Sequence, residues 1–517
     1  MTLGYSKVSS WLLLAILLIG AALRFVLLSG DVPPLYADEL DAYVSMQSIA
    51  TTGHDIDGTL QPFLYSNLER HPPIYGVTAY LSTRIFGNTP FAWRMPAAVF
   101  GLISIALLYL IVVELTRRRS IALLAALFMA IEPISVHFSR IGWPPASVLP
   151  VLLGGLWFLL VALRKDRPGL SFPCLAAGAV LIGLCPYTYG ATWFYAALLV
   201  GGLFAFNRPV FHNPENRRKL LAAATIALVI AGPGLLIAWT DPHTVERTRN
   251  ISTFVNGVNG ESLGIFFNHY FSHFGWPFLF ATGATDAHYM KGYGALYWWY
   301  GPLIIAGAIY APRYARNRAL YAWMWLWLLV YPLGAALTND GATAHPARTI
   351  AGSPVLCIFA AVGCYALFHI GKLIESRVWR KRYRAGLATV LALCVLGSVW
   401  SFSTWYFGVY PVATASDWES GSREAFAAVR AHQQGYARLC LLGFNPWHID
   451  TLQRYYLPNT PLAIIENGNQ GDCTQPATLI LATQAVVAPG FTVISETNGI
   501  DGKLFAVLEA RPPSPGP

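Results

Sequence analysis

Charge is scarce in this chain. Only 12% of its 517 residues are Asp, Glu, Lys or Arg, about half the share of an ordinary soluble domain, while 55% are hydrophobic and 14% aromatic. A water-soluble globule of this composition is excluded, and the chain reads as a polytopic α-helical membrane protein. Cysteine is sparse too. Of seven, Cys174, Cys185, Cys357, Cys364 and Cys394 lie in or beside apolar runs, where a small buried apolar role is expected. No internal repeat is visible, which weighs against the symmetric halves common in transporters. No cleavable leader is expected either: Gly30-Asp31-Val32-Pro33 after the first apolar run is a poor small-x-small cleavage site, so that run is expected to remain as an anchor. Lys and Arg outnumber Asp and Glu by 35 to 26, but the cations sit in short clusters between apolar runs. That placement encodes topology, and no nucleic-acid partner is expected.

Apolar runs of membrane-crossing length occur near 11–29, 92–115, 120–138, 144–163, 171–190, 192–206, 220–239, 295–311, 319–337, 349–370 and 386–407, so about eleven transmembrane helices are predicted. With the N-terminus and Lys7 cytoplasmic, the alternate loops hold most of the cations. They include Arg117 to Arg119, Arg217 to Lys219 and the cluster from Lys372 to Arg384, against only Asp166, Glu215 and Glu375 among acids. The positive-inside rule then leaves the other loops, about 30–91 and 240–295, and the C-terminal segment outside the cytoplasm, consistent with an inner (cell) membrane location. The transmembrane domain is assigned to residues 1–410 and a soluble α/β domain to 411–517. In the latter a helix capped by Ser422 and five short strands alternate with Gly, Pro and Asn, and no catalytic motif stands out. Cys440 and Cys473 are the two cysteines of that outer domain and are candidates for a disulfide.

The densest chemistry falls between residues 31 and 96. Asp38, Glu39 and Asp41 follow the first apolar run, and Glu69, Arg70 and His71 precede Pro72-Pro73. Ionisable groups beside hydrocarbon shift their pKa, so such a cluster is a candidate site. The stretch from Asp38 to Gly53 is predicted to be a short helix lying along the membrane surface on one apolar face, with Asp38 near its start, where the backbone favours a carboxylate. Arg94, Arg140 and Arg348 stand at outer ends of apolar runs, where a guanidinium needs an anion or a membrane-lipid headgroup. His269 and His273, four apart, share a helix side and are weak candidates for metal ligation. A divalent metal remains an open requirement.

These motifs resemble the GT-C glycosyltransferases, in the group of protein O-mannosyltransferases and lipid A aminoarabinose transferases. The resemblance rests on Asp38-Glu39 after the first span, on Glu69 two residues before His71-Pro72-Pro73, and on Arg94 with Ala98 and Gly101. Ser139-Arg140 after the third span and His345 with Arg348 before a late one complete it. It implies a donor sugar carried on a polyprenyl phosphate, inverting transfer, and Asp38 as the base that deprotonates the acceptor, with Glu39 beside it. Glu69, His71, Arg94, Arg140, His345 and Arg348 are then expected around the donor and its phosphate. The aminoarabinose transferases carry Lys where this chain has His71. The partners expected are the lipid-linked donor, membrane lipids, and an acceptor glycan, lipid or protein outside the cytoplasm. A lipid-linked substrate transporter or flippase and a non-catalytic envelope assembly protein are the alternative readings.

Overall fold

The computed structural model describes the chain except for residues 1–6, 31–32, 34, 57, 59–63, 66–69, 165–168, 342, 445–447, 459, 467–472, 474–476, 484–490, 501, 503 and 511–517. It comprises two compact units. One joins Met1–Leu28 to Arg70–Ser403, and the other joins Ser29–Glu69 to Thr404–Pro517. By compactness, residues 29–69 of the first outer loop group with the C-terminal segment from Thr404 on, and residues 70–91 group with the helical unit.

The first unit is helical. Seven helices among the described residues are long and apolar enough to cross a membrane: Lys7–Phe25, Pro90–Thr116, Pro144–Ala162, Pro214–Thr240, Arg318–Ala336, Gly352–Leu373 and Arg377–Ala413, the last running into the second unit. Arg119–Ile131, Phe172–Tyr187 and Thr192–Phe206 are shorter and apolar. Among the described residues, length and composition alone thus do not confirm the count of eleven. The run predicted at 120–138 is cut because Pro133 opens a separate helix, Pro133–Phe138, as expected of a residue with no N–H to give. Outward side chains such as Leu221, Leu228, Val229, Leu236 and Trp239 are 63–74% exposed, a surface suited to lipid and not to water. Helix Tyr300–Tyr314 packs against Gly352–Ile370 through Gly307 and Gly363, where any Cβ would overlap the backbone of Phe359 or Leu303. Small residues admit such close approach, as they do between membrane helices.

The second unit is built on a five-stranded mixed sheet. In spatial order its strands are Ala463–Glu466, Arg438–Leu442, Thr478–Thr483, Leu504–Ala510 and Phe491–Asn498. The first three run parallel and the last two pair antiparallel. Thr478–Thr483 is buried at every position, which explains its unbroken apolar sequence. Helix Ser422–His432 is capped by Gly421 at φ 90°, with Ser422 as its first residue and not its cap. Cys440 and Cys473 are joined by a disulfide within the core, their Cα atoms 5.6 Å apart.

Candidate active site

In the second unit, residues 37–52 form the predicted helix, Ala37–Thr52, ended by Gly53 at φ 81°. The expectation of one apolar face does not hold. From Ala37 to Ser45 every residue except Asp38 is buried, Glu39 and Asp41 included, because the helix packs against Ile449–Tyr456 of the same unit. Tyr43 meets Tyr455 edge-on at 5.3 Å, and Thr451 donates its hydroxyl to Asp41 Oδ1. Tyr36 is the residue before the helix, with extended backbone and no side-chain cap, so Asp38 lies within the first turn, where free N–H groups favour its anion.

Asp38 is the exposed member of this acidic group, its side chain 32% accessible. The Tyr36 hydroxyl donates to its Oδ2 at 2.6 Å, and His448 Nε2 stands 3.8 Å from its Oδ1. The other imidazole nitrogen, Nδ1, lies 2.6 Å from Glu419 Oε1. Glu419 Oε2 in turn accepts the Ala37 N–H at 3.3 Å, so one carboxylate holds both the start of the Asp38 helix and the imidazole. Tyr36 packs edge-on against His448 and Trp418, with ring centroids 5.3 and 5.5 Å apart. Burial disfavours a charged imidazole, but the hydrogen bond that its Nδ1–H gives to Glu419, the Glu419 charge, and those of Asp38 and Asp41 prevail and raise the pKa of His448 above its ordinary value. Glu419 itself has φ 50°, a left-handed conformation that costs a non-glycine residue roughly 1–2 kcal/mol. That cost is offset by the contacts it secures.

His448 and Glu419 escaped the sequence reading, which found no catalytic motif in the C-terminal segment. The available signal was small: Asp417-Trp418-Glu419 and Trp447-His448 are the places there where an ionisable residue abuts tryptophan.

Glu69 lies outside the described residues. The other predicted donor-site residues belong to the first unit. His71 is buried, followed by Pro72 in extended conformation and Pro73 at the first position of helix Pro73–Phe86. Arg94 is fully buried in helix Pro90–Thr116, whose start is capped by Thr89 accepting from the Ala92 N–H at 3.2 Å. Arg140, also fully buried, donates Nη1 to the carbonyls of Leu23, Arg24 and Val26 at 3.0, 3.0 and 2.8 Å, so it caps the end of helix Lys7–Phe25. Gly101 of the Arg94 motif is accounted for by packing, since a Cβ there would overlap Ser139 Oγ and Arg24 Nε.

Arg348 pairs with Asp340 at 2.5 Å and donates to Thr338. Burial pushes the Asp340 carboxyl up, but Arg348 and His345 outweigh it and hold the pKa below the usual range. His345 Nε2 meets the Tyr289 hydroxyl at 3.0 Å. The two histidines proposed for metal have other partners: His269 Nδ1 lies 2.9 Å from the Thr338 carbonyl and His273 Nδ1 2.7 Å from that of His269. His273 Nε2 accepts the His345 N–H at 3.1 Å, which occupies the lone pair a metal would need. No group of three or more potential metal ligands occurs among the described residues.

Residues 70–237 match the sequence profile of the dolichyl-phosphate-mannose-protein mannosyltransferase family, a segment that holds His71, Arg94 and Arg140 and begins after Asp38. No curated protein matches the chain in sequence. In structure it is similar to ArnT from Cupriavidus metallidurans bound to undecaprenyl phosphate, with a TM-score of 0.56 and 14% identity over 98% of each chain. The apo form of that protein matches with a TM-score of 0.57 and 14% identity, over 97% of this chain and 98% of that one. At such identity the likeness concerns the fold: the chain has an ArnT-like GT-C fold, with several apolar helices and a small C-terminal sheet domain. It is a multi-pass membrane protein.

Proposed function

We propose that this chain is an integral-membrane glycosyltransferase that moves a sugar from a polyprenyl-phosphate carrier to an acceptor hydroxyl outside the cytoplasm, with inversion. The observation that carries the reading is Asp38, an accessible carboxylate with Tyr36 on one oxygen and the His448–Glu419 pair near the other. The family profile over residues 70–237 and the similarity to a protein crystallised with undecaprenyl phosphate support the choice of donor.

In the proposed step the acceptor O–H gives its proton to Asp38 as the acceptor oxygen bonds to the anomeric carbon. The bond from that carbon to the phosphate oxygen breaks, and the electron pair leaves with the polyprenyl phosphate. Phosphate is a good leaving group, so cations suffice to stabilise it. Arg94, Arg140 and Arg348 are the cations proposed for that role. Glu39, Glu69, His71 and His345 complete the proposed set of site residues. The orientation follows from the cation distribution, with the N-terminus cytoplasmic and the C-terminal domain outside, in an inner membrane.

The experiment is transfer by purified protein in proteoliposomes supplied with a panel of undecaprenyl-phosphate-linked sugars and an extract of envelope acceptors. Asp38→Asn should lose transfer and keep donor binding. Normal transfer by Asp38→Asn would remove Asp38 as the base and favour a transport reading of the fold.

A further inference from the structure

We propose that His448, oriented by Glu419, is the proton acceptor that returns Asp38 to its carboxylate form after each transfer. The proposal rests on the transferase reading for the source of the proton, and it assigns to the C-terminal domain a part in the chemistry.

The geometry is directional. With Glu419 Oε1 at 2.6 Å, Nδ1 carries the hydrogen and donates it, which leaves the lone pair of Nε2 on the side of Asp38 Oδ1, 3.8 Å away. Tyr36 donates to the other Asp38 oxygen, and Oδ1 is the oxygen that faces His448. Glu419 has a left-handed backbone conformation and binds the Ala37 N–H as well, which couples imidazole position to the start of the Asp38 helix. A purely packing role for His448 needs neither a carboxylate on Nδ1 nor a second one facing Nε2. The step balances: once the two side chains close the 3.8 Å between them to hydrogen-bond distance, the proton taken from the acceptor hydroxyl moves from Asp38 Oδ1 to His448 Nε2, the imidazolium is stabilised by Glu419, and Nε2 then releases the proton to water.

The ionisable groups facing His448 are Glu419, Asp38, Asp41 and Tyr36. On its own helix Asp450 pairs with Arg454 at 2.8 Å. Burial opposes the imidazolium and the carboxylates favour it, with the net effect a raised pKa. Since the relay needs His448 neutral at the start of each cycle, transfer should rise with pH through the titration of this imidazole.

The test is two-part. In proteoliposomes with an undecaprenyl-phosphate sugar that the wild type uses, transfer is followed from about pH 5 to pH 9 for wild type, His448→Gln and Glu419→Gln. His448→Gln should lose the acidic limb and lower kcat roughly 10-fold with donor KM unchanged, less than a direct acid–base group because water can also take the proton. Glu419→Gln should move the limb to lower pH. A wild-type limb and kcat in His448→Gln would overturn the relay.

Independently of transfer, NMR of histidine-labelled protein follows the His448 resonance, identified by its loss in His448→Gln. Its titration should lie above the ordinary imidazole value and fall in both Glu419→Gln and Asp38→Asn. A titration unmoved by either substitution would overturn the coupling even if transfer is observed. If the wild type uses no donor, the transferase reading fails on its own, and the NMR shifts still decide whether the pair serves Asp38.

Discussion

Glu114 and Asp38 are two carboxylates in very different company. Glu114, in helix Pro90–Thr116, is 2% exposed and accepts from Arg164 Nε at 3.0 Å, with Arg316 and Arg117 at 3.8 and 4.0 Å. Asp38 is 32% exposed and keeps a tyrosine hydroxyl and an imidazole. A guanidinium does not give up its charge near neutral pH, so the arginine partners of Glu114 cannot exchange protons with it. Those of Asp38 can. A carboxylate wrapped in arginine is a structural tie, whereas one left accessible beside a titratable ring is free to gain and lose a proton at each turnover.

The contrast is sharpest in substitutions. Asp38→Asn should reduce transfer at least ~10²-fold, the lower range for a general base, without changing the melting temperature, as read by proteoliposome assay and thermal unfolding in detergent. Glu114→Gln should do the reverse. It removes the carboxylate that Arg164 binds and should destabilise the fold by on the order of 3 kcal/mol, the low end for breaking a buried pair because Arg164 is 28% exposed. Transfer per folded molecule should stay at the wild-type level. A Glu114→Gln protein that melts normally but is inactive would collapse the distinction.

Smaller effects should separate the second unit from the first. Replacing Cys440 and Cys473 by Ser removes the cross-link and should destabilise the sheet by roughly 2–3 kcal/mol, while leaving the helices of the first unit intact by circular dichroism. A free-thiol assay on folded protein that finds both cysteines reactive would contradict the pairing. The smallest effect is a pH dependence. Because the folded-state pKa of His448 is raised, its contribution to stability is fully present below the unfolded imidazole value, about 6.5, and is lost as pH rises through the higher folded value. The stability gap between wild type and His448→Gln should therefore be wider at pH 6 than at pH 9, as measured by denaturation midpoints. A gap that widens with pH would mean that the imidazole is held neutral instead.

Much of this was readable from the sequence, for local reasons. The five strands announced themselves because short apolar runs such as Thr478–Thr483 are bracketed by turn residues, and the Asp38 helix by its stop at Gly53. Helix Ile449–Tyr456 was not seen. Its buried apolar positions, Ile449, Leu452 and Tyr456, fill only eight residues, too few for periodicity to speak. The partnership of Asp38 with Glu419 and His448 joins positions 381 and 410 residues apart in the chain, and no local pattern can report it. Arg140 and Arg348 show the converse. Both stand out in the sequence as cations at the ends of apolar runs, yet nothing local in it shows that Arg140 donates to the carbonyls of Leu23, Arg24 and Val26 or that Arg348 pairs with Asp340.

The most direct measurement of the central proposal is the fate of the donor in wild-type proteoliposomes. With an undecaprenyl-phosphate sugar and an envelope acceptor, mass spectrometry should find free undecaprenyl phosphate released in step with a glycosylated acceptor, and NMR should show the new linkage with the opposite anomeric configuration to the donor. Donor that crosses the bilayer intact, with no release of undecaprenyl phosphate, would contradict the account, as would a product that retains the donor's configuration.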